Sequence, residues 1–248
     1  MPYAPRRRAP RRPRRLRRPR GRRIAQRRRA RRSRRLLGSA FAGVTLVCAG
    51  HLAWQFVGTN LVASQRQHQA VAALFSAWHR QAPSAISRGV AVDGLVRIPR
   101  FGSAYAVPLV EGTGSSSLAL GVGHVVGSAH PGEVGNVVLA GHRVTHGEPF
   151  RDLQRLQIGD EIVIETLTSG YIYRVTSGSG GSLRVADSAS WVLAPSPRNP
   201  DRGGISPPHS TRLITLLTCA ELFHTSDRFV IFGELVRTYL RVHPHPEA

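Results

Sequence analysis

Three side chains in the second half of this chain have types and spacing suited to covalent chemistry: His142, Cys219 and Arg228. Cys219 ends the run LITLLTC (Leu213–Cys219), and nine residues further on Arg228 opens a second apolar run, RFVIFGELV. A thiolate attacks carbonyl carbon, and an imidazole can move protons near neutral pH. A guanidinium stays charged, so it can hold a developing oxyanion but cannot serve as a base. Together they read as nucleophile, acid/base and charge stabiliser. The blander reading of a lone cysteine is a small buried core residue. Only two cysteines occur, and the other, Cys48, lies in an apolar stretch, so no disulfide between them is expected. In an exported domain a single unpaired thiol points to a reactive role.

Chemistry of this kind needs a scaffold that delivers all three groups to one place. LITLLTC is β-branched and leucine-rich, the pattern of a strand buried on both faces, and it carries Cys219 at its tip. NVVLAGH (Asn136–His142) is a second buried strand, ending at the histidine. Further strands are predicted at LVRIP (Leu95–Pro99), AVPLV (Ala106–Val110), EIVIET (Glu161–Thr166), YIYRV (Tyr171–Val175), WVLA (Trp191–Ala194) and the run from Arg228. One helix is predicted, EPFRDLQRL (Glu148–Leu156), with Phe150, Leu153 and Leu156 on one side. Eight short strands and one short helix within about 150 residues argue for a mainly β fold, a closed eight-stranded barrel. The Pro/Gly/Ser-rich stretch Pro195–Ser210 leads into the cysteine strand and is expected to wall the groove beside it.

Charge is distributed unevenly. The formal net charge is +21, yet residues 1–35 hold 19 of the 35 arginines and no acid. From Asp93 onward 13 arginines face 14 acidic residues, so the folded part is near neutral. The basic tail, 1–35, cannot bury enough apolar surface to fold alone. Residues 36–58 form an almost unbroken apolar run without a charge, long enough for one membrane-spanning helix. Arginines before it place the N-terminus in the cytoplasm, with Trp54 as interfacial anchor. A cleaved signal is the rival reading, with Val62-Ala63-Ser64 as the small-residue site. Val71, Leu74, Phe75 and Trp78 then form a helical stripe within a stalk and linker, 59–91. A catalytic domain spans 92–240 and a short tail 241–248.

The block AGHRVTHGEPFRDLQRLQIGDEIVIET (Ala140–Thr166), followed by TLLTC (Thr215–Cys219) and Arg228, resembles the sortases. With GHVVGSAHPGEVGNVVLAGHR upstream, it is most similar to the class E sortases of actinobacteria. The resemblance covers roughly Val92 to Val236 and implies the sortase-type barrel, which the transmembrane helix and helical stalk read above would precede. It implies His142, Cys219 and Arg228 as catalytic residues, and Thr218, His124 and Val125 as substrate-binding ones. It also implies a reaction. The cysteine attacks a Thr–Gly bond in a C-terminal sorting signal, and an amine on a cell-wall precursor or pilin resolves the thioacyl intermediate. No cofactor and no metal are implied. Val125 stands where class E members often carry a tyrosine associated with Ala, rather than Pro, in the sorting signal. Ala220-Glu221 stand where His-Pro often follows the cysteine.

The expected partners are therefore surface proteins with sorting signals, the acceptor amine, and membrane lipid around the N-terminal helix. The expected location is the cell membrane, single-pass, with the catalytic domain outside. Other readings use the same residues. A hydrolytic cysteine peptidase differs only in its acceptor. His124, His130, His142, His146, His209 and His224 could include zinc ligands with Cys219, but no CxxC or HExxH spacing supports this. His124, also flanked by glycine, is the rival to His142 as acid/base. A membrane-tethered nucleic-acid-binding protein would rest on the arginine tail alone, through phosphates; no specific nucleic acid is expected.

Overall fold

A computed structural model describes residues 20–54, 58–177, 183–201, 204–219 and 227–241, the side chains of 20–33, Leu36 and Cys219 excepted. The chain divides into two units, Met1–Leu52 and Ala53–Ala248. The described residues of the first form one helix, α1 (Arg20–Ala53). Its apolar side chains Leu37, Phe41, Leu46 and Val47 are exposed. Among the described residues no helix is long and apolar enough to cross a membrane. The run expected to do so, 36–58, passes through residues 55–57, which lie outside those described.

The second unit opens with α2 (Thr59–His79) and then forms ten strands. These are β1 (Ala85–Ser87), β2 (Val90–Arg97), β3 (Val107–Glu111), β4 (Val122–His124) and β5 (Gly135–Ala140), then β6 (Glu161–Glu165), β7 (Ser169–Val175), β8 (Leu183–Ala186), β9 (Arg212–Cys219) and β10 (Asp227–Leu240). Eight of them close a barrel in the order β2-β3-β4-β5-β9-β10-β7-β6, sealed by pairing of β6 with β2. The expected eight-stranded barrel is thus borne out. β1 adds to β2, and β8 to the start of β10. The pairs β3–β4 and β5–β9 are parallel and the others antiparallel.

Closure follows from side-chain alternation. Val137 and Leu139, Ile162 and Ile164, and Ile214 and Leu216 all belong to the buried core inside the barrel. One end of that core is filled by Phe150, Leu153 and Leu156. The segment carrying them is not the helix expected over Glu148–Leu156 but turns with a single 3-10 turn, Leu153–Arg155. The reason lies in the spacing, since apolar residues at i, i+3 and i+6 match three residues per turn rather than 3.6. Among the described residues the connections between strands carry other short helical pieces, such as α3 (Ser115–Leu118).

WVLA is also a correction: Ser190–Leu193 is a 3-10 turn, not a strand. Buried Asn136 donates its Nδ2 to the carbonyls of Val192 and Ala194, both at 3.1 Å, and its Oδ1 accepts from Thr215 Oγ1 at 2.8 Å. A side chain, rather than a neighbouring strand, satisfies that backbone.

α2 lies on the outer face of the barrel, with Leu74 and Trp78 against Val92, Leu95, Val110 and Leu120. Its buried face is Ala63, Gln67, Ala70, Leu74, Ala77 and Trp78, turned slightly from the expected stripe. Alanines seven apart let the helix approach closely, whereas Phe75 stays 38% exposed, edge-on to the Trp78 ring at 5.5 Å. Arg241, just beyond β10, covers the Trp78 ring at 4.3 Å.

Candidate active site

Strand register assembles the site. In the parallel pair β5–β9, Ala140 is level with Leu217. The pairing continues beyond the ladder: Gly141 N donates to Leu217 O at 3.2 Å, and Thr218 Oγ1 to Gly141 O at 2.7 Å. One residue more brings His142 level with Cys219. On the other side of β9, Arg228 of β10 pairs directly with Cys219. His142, Cys219 and Arg228 therefore form one row across three adjacent strands at one rim of the barrel. This is a statement about backbone positions, since the Cys219 thiol lies outside the described side chains.

The row has distinct local support. Arg228 is half-buried, donates Nη1 to the Asp227 carbonyl at 3.2 Å, and faces Val185 of β8. Thr218 is 2% exposed, and its hydroxyl ties β9 to the residue before His142. Gly141 leaves room for Phe150, whose ring would lie 2.7 Å from a Cβ there. The Phe150 amide then donates to the His142 carbonyl at 3.0 Å. Burial, and after it the neighbouring His146, pushes the His142 pKa down to about 4. The two imidazoles stack with centroids 4.8 Å apart and planes 25° apart. Burial also lowers the His146 pKa, with the Arg66 charge adding to it. The row can supply a neutral base, a backbone-defined thiol position and a fixed cation.

His124 and Val125 are not brought into this row. β4 runs antiparallel to β5 with His124 level with Leu139, so His124 sits about 10 Å along the strand from His142. It is 3% exposed, its Nδ1 is 2.9 Å from Glu111 Oε2, and its Nε2 faces Ser128 Oγ and the Ala129 carbonyl. Glu111, His124, His130 and Tyr171 line a cavity of about 430 Å³ toward the other rim. Val125 donates its amide to the Val138 carbonyl at 2.9 Å and is partly exposed. Among the described residues no three of His, Cys, Asp and Glu gather so as to hold a metal ion.

Sequence reasoning missed His146 as a neighbour of His142 and named it only among the possible zinc ligands. It also missed Asn60 and Gln67 of α2, which contact the loop after His142. The one signal available was the four-residue spacing of His142 and His146 within a loop.

Comparisons with known proteins give the family of the chain. Residues 96–236 match the sortase domain family. Sortase SrtE1 of Streptomyces coelicolor is 32% identical over 225 residues, which is 86% of this chain and 60% of that protein. The chain thus spans about 60% of the length of that relative. Among solved structures, sortase E from Streptomyces avermitilis superposes with a TM-score of 0.52 at 32% identity, covering 60% of this chain and 90% of that one. Sortase E1 from Streptomyces coelicolor, solved with a tripeptide in the active site, has a TM-score of 0.51 at 35% identity and the same coverage. The chain belongs to the sortase family.

Proposed function

We propose that this chain is a cysteine transpeptidase that cleaves a Thr–Gly bond in a C-terminal sorting signal and passes the acyl group to an amine. The observation that carries the reading is the row of His142, Cys219 and Arg228 on adjacent strands. In the unliganded site His142 is neutral at pH 7, given its lowered pKa of about 4. Cys219 attacks the threonine carbonyl while its proton passes to His142. The C–N bond then breaks, and His142 returns the proton to the leaving glycine amine. A thioester remains. The incoming amine attacks it, loses a proton to His142, and Cys219 leaves as thiolate and is reprotonated. Arg228 holds the carbonyl oxygen while it carries negative charge.

The donor is a surface protein with its sorting signal, and the acceptor is an amine on a cell-wall precursor or pilin. The tripeptide in the active site of the Streptomyces coelicolor relative supports a peptide as ligand. Residues 36–58 anchor the chain in the cell membrane with the N-terminus inside and the barrel outside. The exposed apolar side chains of α1 support this.

The test is mass spectrometry of the chain with candidate signal peptides. An adduct of the threonine acyl group on Cys219, released as a new amide on adding an amine, is expected. Cys219→Ala should lose adduct and transfer while its circular dichroism melt stays near wild type. Retained turnover in that variant would remove Cys219 as nucleophile, and release only as free acid, even with amine in excess, would make the enzyme a hydrolase.

A further inference from the structure

The His142 ring has one close ring neighbour on its own loop, His146, stacked at 4.8 Å. For His146 to reach back over His142 the chain must turn sharply. His146, Gly147 and Glu148 have φ of 55°, 82° and 50°. Two of these three left-handed residues carry side chains, a conformation that persists only where the surroundings impose it.

Here α2 imposes it. Buried Gln67 donates Nε2 to the His146 carbonyl at 3.1 Å. Asn60, one heptad earlier on the same helix face, accepts from the Gly147 amide at 3.0 Å and donates Nδ2 to the Glu148 carboxylate. Glu148 also pairs with Arg151. A Cβ on Gly147 would lie 2.5 Å from Gln67 Nε2, so helix and loop are flush. Among the described residues nothing hydrogen-bonds the buried Nδ1 of the His146 ring. The contacts on it are the backbone hold from α2 at its carbonyl and the stack on its ring. Both clamp residues lie before the family-matched span, 96–236.

We propose that His146 is a positioning residue that fixes the ring of His142, and that Asn60 and Gln67 of α2 hold it in place. The proposal rests on the reading of His142 as the acid/base. It makes the helix next to the membrane segment a working part of the catalytic loop rather than a spacer. The charged groups on the segments around the pair are Arg66 of α2, Arg143, Glu148 and Arg151 of the loop, and Arg228 of β10. None of the clamp substitutions removes one of these charges, and only Asn60→Ala takes a hydrogen bond from one of them, Glu148. His146 is the second cause of the low His142 pKa, after burial, so the stack should also be read in the titration of His142.

The test uses the full chain with Gln67→Ala, Asn60→Ala, His146→Ala and His146→Phe, a signal peptide and an amine. Misplacing a reacting group by about 1 Å can cost on the order of 10² in rate. Gln67→Ala and His146→Ala should each lower kcat by about tenfold or more with KM unchanged. The His142 imidazole resonances, assigned by their loss in His142→Asn, should titrate at higher pH in both. His146→Phe keeps a flat ring and should recover most of kcat. If kcat per folded molecule and the His142 titration match wild type in Gln67→Ala and His146→Ala, the positioning role is overturned. If His146→Phe does no better than His146→Ala, the stack is not the means. Retained turnover in His142→Asn would instead defeat the acid/base reading, and the resonance titration tells the two failures apart.

Discussion

His142 is neutral in the folded chain because burial, and secondly the His146 ring, opposes its charging. An unfolded histidine titrates near 6.5, whereas this one titrates at about 4. Between those values the unfolded chain takes up a proton that the folded chain refuses. Stability is therefore unaffected by this group above about pH 6.5, declines as the pH falls through the window, and levels off below about 4. Melting temperatures of wild type and His142→Asn, compared from pH 7 to 4, should diverge, with wild type losing more. Parallel curves would mean that burial does not hold the ring neutral. Arg228 separates charge from shape. Its planar fork can meet a carbonyl oxygen and the peptide together, which a lysine cannot reproduce. Arg228→Lys should lose roughly 10²–10³ in kcat/KM, as for the loss of one oxyanion donor, and Arg228→Ala at least as much. If Arg228 instead only supports β10 through its neighbours, Arg228→Ala would lower the melting temperature and leave turnover per folded molecule intact.

At the scale of elements, two short non-strand segments do the positioning. The turn segment after His142 sends Phe150 fully into the barrel beneath Gly141. Phe150→Ala should destabilise the domain by about 3–5 kcal/mol, measured by denaturant unfolding, since a ring-sized cavity opens in a packed core. A change under about 1 kcal/mol would mean that the segment collapses into the space. The second segment, Ser190–Leu193, hangs from Asn136, whose amide is pinned in turn by Thr215. If the residues after it wall the peptide groove, Asn136→Leu with Thr215→Val should raise KM for the signal peptide and spare kcat. A fall in kcat alone, with KM unchanged, would show that the wall does not meet the peptide.

For the whole molecule, the separation of charge carries the argument. An arginine tail without acids, an uncharged apolar run over 36–58 and a near-neutral barrel give three regions with different preferred surroundings. Protease added to intact cells should remove the barrel and spare the tail. Recovery of the full-length chain in the soluble cytosol would refute the anchored topology.

The strands around the site were legible because each is a short apolar run bounded by turn residues. LITLLTC and NVVLAGH announced buried strands, and their ends announced Cys219 and His142. Local periodicity also misled where a side chain, not a ladder, satisfied the backbone, as at WVLA, and where a period of three passed for a helix, as at Phe150. The short strands β4 and β8 left too little pattern to be read. The sequence alone determined which residue types could react, that strands would carry them, and that charge would divide the chain. Only the tertiary structure decided that β5 and β9 run parallel in the register that levels His142 with Cys219. Only it brought Asn60 and Gln67 against residues some 80 positions later. Register and long-range contact depend on how closed sheets and packed helices share one core. No window of local sequence contains that information.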